Sequence, residues 1–296
     1  FSYSNTGYFL LGMIVTKASG TEVGDFLERR VFKPVGLTNT YAIHRPEGVI
    51  PATGYHSRSG TRTAQPPIAW TSSLGAGAIV STLEDMNKWD QALYTSKLLP
   101  DNLRNQLWST ATTTTGEPVN YGFGWFSGNY RGLIRQDHSG QTNGFTCYYY
   151  RFPEQRTMIM VHTNTYGGNV GGIANALSAH YVPGASYLKM KVPADPQPAT
   201  TAEHLTMLKT SILGEGDMEN FSPGIKDFAT KDNFKSLREE LKPAITTLKS
   251  FRLLVRRSPR VGSEVYIYRH EYEAKTFFLT MRFQGGKLSG LNWEDE

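Results

Sequence analysis

The chain has 296 residues, 39% of them hydrophobic and 19% charged, with 16 Tyr, 15 Phe and a formal net charge of +5. Such a length and composition fit about two globular domains. With no block of basic residues a nucleic-acid binder is not expected, and no apolar run reaches the roughly 18 residues of a membrane span. The one cysteine, Cys147, excludes an internal disulfide and an all-cysteine metal site, and the seven histidines form no His-Glu-x-x-His or Cys/His set, so no metal or cofactor is expected.

The opening stretch FSYSNTGYFLLG carries no Met and no signal-peptide pattern, and a polar turn runs straight into an apolar helix. The expectation is a piece of a longer protein. Helices are predicted at Thr6–Ala18 and at Glu22–Val31, the second stopped by Pro34. A short apolar run, Ala76–Val80, follows Gly75. Ser81–Tyr94 reads as a helix with Ser81 or Thr82 as cap and Glu84 and Asp85 in its first turn. Tyr121–Phe126, Gly144–Phe152 and Thr157–Thr163 read as strands, with Pro153–Arg156 as a hairpin turn and a final helix at Gly171–Tyr181.

Beyond Val182 the texture changes. Pro183, Pro193, Pro196 and Pro198 interrupt a stretch without helical or strand period, which reads as a linker over 184–201. AEHLTMLKTSIL and KDNFKSLREELKPAI have helical spacing, and four alternating, aromatic-rich runs after Lys249 read as an antiparallel meander. The expected organisation is α+β throughout: a domain over 1–183, the linker, and a small α+β module over 202–296 with helices first and strands after. Its element order resembles cystatin-like or nuclear-transport-factor-like modules. Arg256, Arg257 and Arg260 are its only basic cluster, expected at a solvated hairpin turn.

Three short stretches bear on chemistry. Tyr3-Ser4-Asn5 precedes a helix, so Ser4 or Asn5 suits a cap. A catalytic Tyr3 would need nearby positive charge to lower its pKa toward neutrality. His138-Ser139-Gly140-Gln141 is expected to open a strand after the turn-like Arg135-Gln136-Asp137. A glycine there admits close approach of another backbone or a ligand, and an edge strand with open N–H groups can bind an acyl group and supply half of an oxyanion hole. Gly75-Ala76-Gly77 matches no nucleotide-binding fingerprint and suits a packing role.

Taken in order, these pieces resemble the serine β-lactamase and penicillin-binding-protein family, in the class C-like branch that includes esterases and D-amino-acid peptidases. FSYSNTGYFLLGMIV, FKPVGLTNT, ATGY at 52–55, SLGAGAIVSTLEDMNKW, YGFGW and HSGQTNGF follow the family's order over about residues 1–170. The resemblance implies a β-lactamase/transpeptidase-like fold, an antiparallel sheet with flanking helices. It also implies a nucleophilic serine and a lysine in Ser-x-x-Lys, attack on a carbonyl, and an acyl-enzyme.

Carried over by motif, Tyr3 is the general base and Asn5 holds the lysine and the substrate amide. His138 stands where many members have lysine. Ser139 bonds the substrate carboxylate or the Tyr3 oxygen, Gly140 keeps the strand approachable, and the N–H of Gln141 is one oxyanion donor. The family's Ser-x-x-Lys lies upstream of Tyr-x-Asn, so the nucleophile is expected outside this chain and the chain alone is expected to be inactive. Ser186-Tyr187-Leu188-Lys189 matches the pattern but lies in the linker, without a helix. The implied partner is a small-molecule or peptide acyl substrate. Family habit implies a periplasmic or secreted location. A non-catalytic binding or regulatory relative is the other reading.

Overall fold

In the computed structural model, which describes every residue except 59, 67–72, 117, 215, 230, 231, 274 and 296, the chain divides into two compact units, Phe1–Ala185 and Ser186–Glu296. The first helix starts where Ser4, in extended backbone, turns its hydroxyl to accept from the Gly7 N–H at 3.3 Å. Helix α1 (Asn5–Ser19) then runs until Gly20, whose φ of 69° ends it.

Helix α2 (Val23–Leu27) continues through a π turn (Glu28–Phe32) into α3 (Lys33–Val35), which Gly36 ends at φ 80°. Pro34 was expected to stop this helix at Val31; instead the wider π turn accommodates a ring that a regular helix interior would reject. After β1 (Tyr41–Ala42), an exposed hairpin forms from β2 (Tyr55–Arg58) and β3 (Thr61–Ala64).

Helix α4 (Leu74–Gly77) crosses α1 at two glycines. A Cβ on Gly75 would sit 2.2 Å from the Tyr8 carbonyl oxygen and 3.0 Å from the Gly12 nitrogen. The Gly-Ala-Gly run thus serves backbone contact. The apolar run beyond it is a two-residue strand, β4 (Ile79–Val80), paired with β1. Helix α5 (Leu83–Ala92) takes Thr82 as its cap, the hydroxyl accepting from the Asp85 N–H. Short elements α6 (Asp101–Gln106), β5 (Ala111–Thr112) and β6 (Pro118–Val119) lead to the main sheet.

That sheet is antiparallel. It holds β7 (Tyr121–Gly122), β8 (Trp125–Tyr130), β9 (Leu133–Thr142), β10 (Phe145–Phe152) and β11 (Thr157–Thr163), in the spatial order β11-β10-β9-β8-β7. Tyr121–Phe126 is two strands rather than one, because Phe123 and Gly124 both take left-handed backbone (φ 49° and 87°) and fold a two-residue hairpin. Arg135–Asp137 is strand, so His138 lies inside β9 and not at its start.

Period-2 alternation gives the sheet two apolar faces. Tyr150, Phe152 and Ile159 pack with Ala174 of α7 (Val170–Tyr181) on one side, and Trp125 and Tyr149 pack with Leu93 and Trp108 on the other. A buried ion pair joins α5 to the second face: Arg151 Nε donates to Asp90 at 2.7 Å, with side chains 1% and 0% exposed.

The second unit places α8 (Pro198–Leu213), α9 (Pro223–Ala229) and α10 (Asp232–Thr246) before a meander of β12 (Leu248–Arg260), β13 (Ser263–Tyr272), β14 (Lys275–Gln284) and β15 (Lys287–Asp295). Leu208, Tyr268, Leu279, Met281 and Leu288 form its core. On the sheet's other face Tyr187, Leu254, Ile267 and Phe278 pack together. Arg269 secures the segment around Tyr187 by donating to the carbonyls of Tyr187, Leu188 and Met190 at 2.6, 2.9 and 3.1 Å. Arg256 is not a free surface charge; it meets Glu264 across the strands at 2.6 Å. Among the described residues no helix is long and apolar enough to cross a membrane.

Two measurements check this packing. Gly75→Ala forces α1 and α4 apart and should lower stability by about 1–3 kcal/mol in denaturant unfolding. Gly77→Ala should be neutral, since an added Cβ there meets nothing within 4 Å.

His204 is buried, its Nδ1 2.6 Å from the Tyr268 hydroxyl and its ring stacked on Phe283, and burial lowers its pKa to about 4. The unfolded chain binds a proton near 6.5 and the folded one does not, so this stability is present above that pH. It should be lost as pH falls from about 6.5 toward 4, by up to about 3 kcal/mol, with hydrogen exchange of β13 and β14 in the whole chain as the readout.

Candidate active site

Two elements carry the expected site residues, and Tyr3 and His138 are the two that lie side by side. The start of α1 presents Tyr3, 40% exposed, and Asn5 as the first helical residue. Ser4 supplies the cap, so Asn5 does not serve that purpose. Strand β9 presents His138, and the Tyr3 and His138 rings lie 5.7 Å apart between centroids.

The strand edge follows from pairing. β8 covers β9 only up to Phe126↔Asp137, whereas β10 pairs with it through to Phe145↔Thr142. From His138 to Thr142 one side of β9 is therefore unpaired by any strand of the sheet among the described residues. In a two-residue hairpin the closing residues exchange hydrogen bonds, and alternation then sets every other N–H.

Counting from Thr142/Phe145, residues 142, 140 and 138 bond toward β10. Counting from Tyr130/Leu133 at the other end, 133, 135 and 137 bond toward β8. Both counts send the N–H and C=O of Ser139 and Gln141 to the open edge. Their side chains are exposed and fall on the opposite pleat face from His138. Gly140 has a more specific reason to lack a side chain: a Cβ there would lie 2.9 Å from Cys147 Sγ on the paired strand.

The His138 ring is oriented at both nitrogens. Nδ1 lies 2.7 Å from the Ser139 carbonyl, which can only accept, so Nδ1 carries a proton. Nε2 lies 3.3 Å from the Tyr121 hydroxyl, which lies 2.8 Å from the Tyr8 hydroxyl, each phenol able to donate or to accept. Tyr3 stacks on Tyr8 at 5.9 Å and meets Tyr121 edge-on at 5.7 Å; Phe126 lies 5.6 Å from the His138 ring. Burial is the chief influence on both Tyr3 and Tyr121 and pushes their phenols up, and Tyr8 adds to the effect. The positive charge that a catalytic Tyr3 requires is thus not among the influences acting on it here.

Tyr8, Tyr121 and Phe126 were not singled out from the sequence. Tyr121 sits in YGFGW and Tyr8 five residues after Tyr3, but nothing in their spacing shows that their hydroxyls meet. Ser186, by contrast, is a turn residue: buried, with its hydroxyl accepting from the Lys189 N–H at 3.2 Å outside any helix, and with Lys189 exposed. Among the described residues no group of three or more His, Cys, Asp or Glu is placed to hold a metal.

The exposed surface of α1 is apolar. On α1 only Gly12 is buried, while Leu10, Leu11, Met13 and Ile14 are 51%, 52%, 51% and 60% exposed. So wide an apolar surface marks a face made to be covered.

Comparison with known proteins agrees with this architecture. A family model described as Beta-lactamase matches residues 1–182. The chain is 30% identical over 177 residues to penicillin-binding protein 4* of Bacillus subtilis, covering 55% of this chain and 39% of that protein. It is 27% identical over 208 residues to a D-aminopeptidase of Gluconobacter oxydans, covering 68% of this chain and 36% of that protein. It therefore spans less than two-fifths of the length of these two relatives.

Among solved structures, the octameric penicillin-binding protein homologue from Pyrococcus abyssi shares the fold over 97% of this chain and 60% of its own, at a TM-score of 0.55 and 19% identity. With the match covering more than half of its length, the chain belongs to the serine β-lactamase and penicillin-binding-protein family.

Proposed function

We propose that this chain carries the substrate-edge and proton-transfer half of a serine hydrolase that works through an acyl-enzyme, on an ester or on the amide of a D-amino acid. The observation that carries the reading is that the Tyr3 and His138 rings lie 5.7 Å apart where the unpaired stretch of β9 begins, the same stretch that directs the Gln141 N–H outward. Relatives named D-aminopeptidase and penicillin-binding protein support the reaction class.

In this reading a serine from a Ser-x-x-Lys segment attacks the substrate carbonyl carbon, and the new oxyanion accepts from the Gln141 N–H. Tyr3, with the lysine, takes the serine proton and returns it to the departing amine or alkoxide; water then attacks the acyl carbon and frees the serine. The lysine ammonium supplies the positive charge that would bring the Tyr3 phenol down from its raised value. Leu10, Leu11, Met13 and Ile14 offer the apolar seat for that segment. Asn5, at the first turn of α1, holds the lysine or the substrate amide in this reading.

His138 sets the substrate preference. An imidazole anchors a β-lactam carboxylate less firmly than a lysine ammonium does, which favours esters and D-amino-acid amides, which lack that carboxylate, over β-lactams.

The test uses the longest natural form of the protein with p-nitrophenyl butyrate and D-alanine p-nitroanilide. Turnover is expected, with Tyr3→Phe lowering kcat about 100-fold or more. Failure to turn over either substrate, in a folded protein with an intact Ser-x-x-Lys, would overturn the reading in favour of a non-catalytic relative.

A further inference from the structure

We propose that Tyr121 is a positioning residue for His138, and that the Tyr8–Tyr121 hydroxyl pair is the bridge that fixes the helix mouth against the strand edge. The inference rests on the hydrolase reading for its role, but the bridge itself stands on geometry. Tyr8 belongs to α1, Tyr121 to β7 and His138 to β9, three elements separated widely in sequence. Two contacts join them, 2.8 Å from Tyr121 to Tyr8 and 3.3 Å from Tyr121 to His138 Nε2.

Tyr121 is 7% exposed, and its ring is gripped by Phe126 at 4.6 Å and by Tyr3 at 5.7 Å. A hydroxyl held so firmly defines a point in space, and His138 is tied to it at one nitrogen and to the Ser139 carbonyl at the other. The ring therefore has a single orientation, set before substrate arrives.

The bridge keeps its heavy-atom positions whichever way its hydrogens point. A phenol both donates and accepts. With His138 neutral, Tyr8 can donate to Tyr121 and Tyr121 to Nε2. With His138 protonated, Nε2–H donates to Tyr121 and Tyr121 to Tyr8. The two hydroxyls turn, and no heavy atom moves. Phenylalanine at either position removes one oxygen, keeps the ring packing and breaks this chain.

The test needs two readouts. First, the whole 296-residue chain is labelled with nitrogen-15 histidine, and the His138 signals are assigned by their loss in His138→Gln. The wild type should show a protonated Nδ1 and an Nε2 engaged in a hydrogen bond. Tyr121→Phe should shift Nε2 downfield toward an unbonded lone pair, while Tyr8→Phe should leave Nε2 bonded.

Second, in the longest natural form, Tyr121→Phe and Tyr8→Phe should each lower kcat/KM about 5- to 10-fold, the factor expected for one lost hydrogen bond between neutral groups, with the fold retained. An Nε2 signal that Tyr121→Phe leaves in place overturns the proposal, and so does a Tyr121→Phe enzyme as active as wild type. A wild type that is inert, but whose Nε2 signal moves in Tyr121→Phe, overturns the hydrolase reading and leaves the bridge standing.

Discussion

The buried Asp90–Arg151 pair holds the first unit's layers in the arrangement that the site requires. Arg151 donates to Asp90 of α5 at 2.7 Å and to Gln136 of β9 at 2.6 Å, and its guanidinium lies over the Tyr94 and Trp108 rings at 4.3 and 4.7 Å. Tyr149, the residue directly across from His138, donates to the same carboxylate at 2.7 Å. One carboxylate thus ties α5 to β10, and through Arg151 to Gln136 of β9, on the sheet face that also carries the His138 side chain. A pair this deep adds little over a well-packed apolar substitute, but removing one partner leaves an uncompensated buried charge, at a cost of about 3–5 kcal/mol. Its effect is to specify: a slip of β10 against β9 would break the Arg151–Gln136 bond and move Tyr149 from its place across from His138.

On this frame the chemistry divides between two kinds of element. The strand edge offers backbone groups whose directions are set by pairing, which suits recognition of an acyl group. The helix mouth offers side chains, Tyr3 and Asn5, which suit proton transfer and amide recognition. The glycine crossing of α1 and α4 brings the helix close, and the aromatic cluster of Tyr3, Tyr8, Tyr121, Phe126 and His138 sets the spacing between the two. The apolar outer face of α1 remains for whatever covers the site.

Much of this was legible in the sequence, because the signals were local. Thr82, Glu84 and Asp85 mark a helix start by capping and charge; Pro153–Arg156 marks a turn; alternating runs mark strands. Ordered motifs gave the family, and the family gave Tyr3, Asn5 and His138. The misses are cases in which tertiary context outweighs local preference. Pro34 should end a helix, but a π turn absorbs it. Phe123 is an improbable residue for left-handed backbone, and only its hairpin reveals the break in Tyr121–Phe126. Tyr8 and Tyr121 resemble ordinary core aromatics until three elements place their hydroxyls together. Ser186-x-x-Lys189 is the converse, a motif match that the backbone turns into a capped turn.

The proposal to be tested is that residues 1–296 supply the orienting and proton-moving half of an acyl-enzyme site whose nucleophile is the serine of a separate Ser-x-x-Lys segment. Intact-mass spectrometry after treatment with a serine-directed fluorophosphonate tests it most directly, on residues 1–296 alone and on the longest natural form side by side. The account predicts one stoichiometric adduct on the longer protein, mapping to the serine of a Ser-x-x-Lys segment, and none on residues 1–296. A stoichiometric adduct on residues 1–296, above all at Ser186, would contradict it.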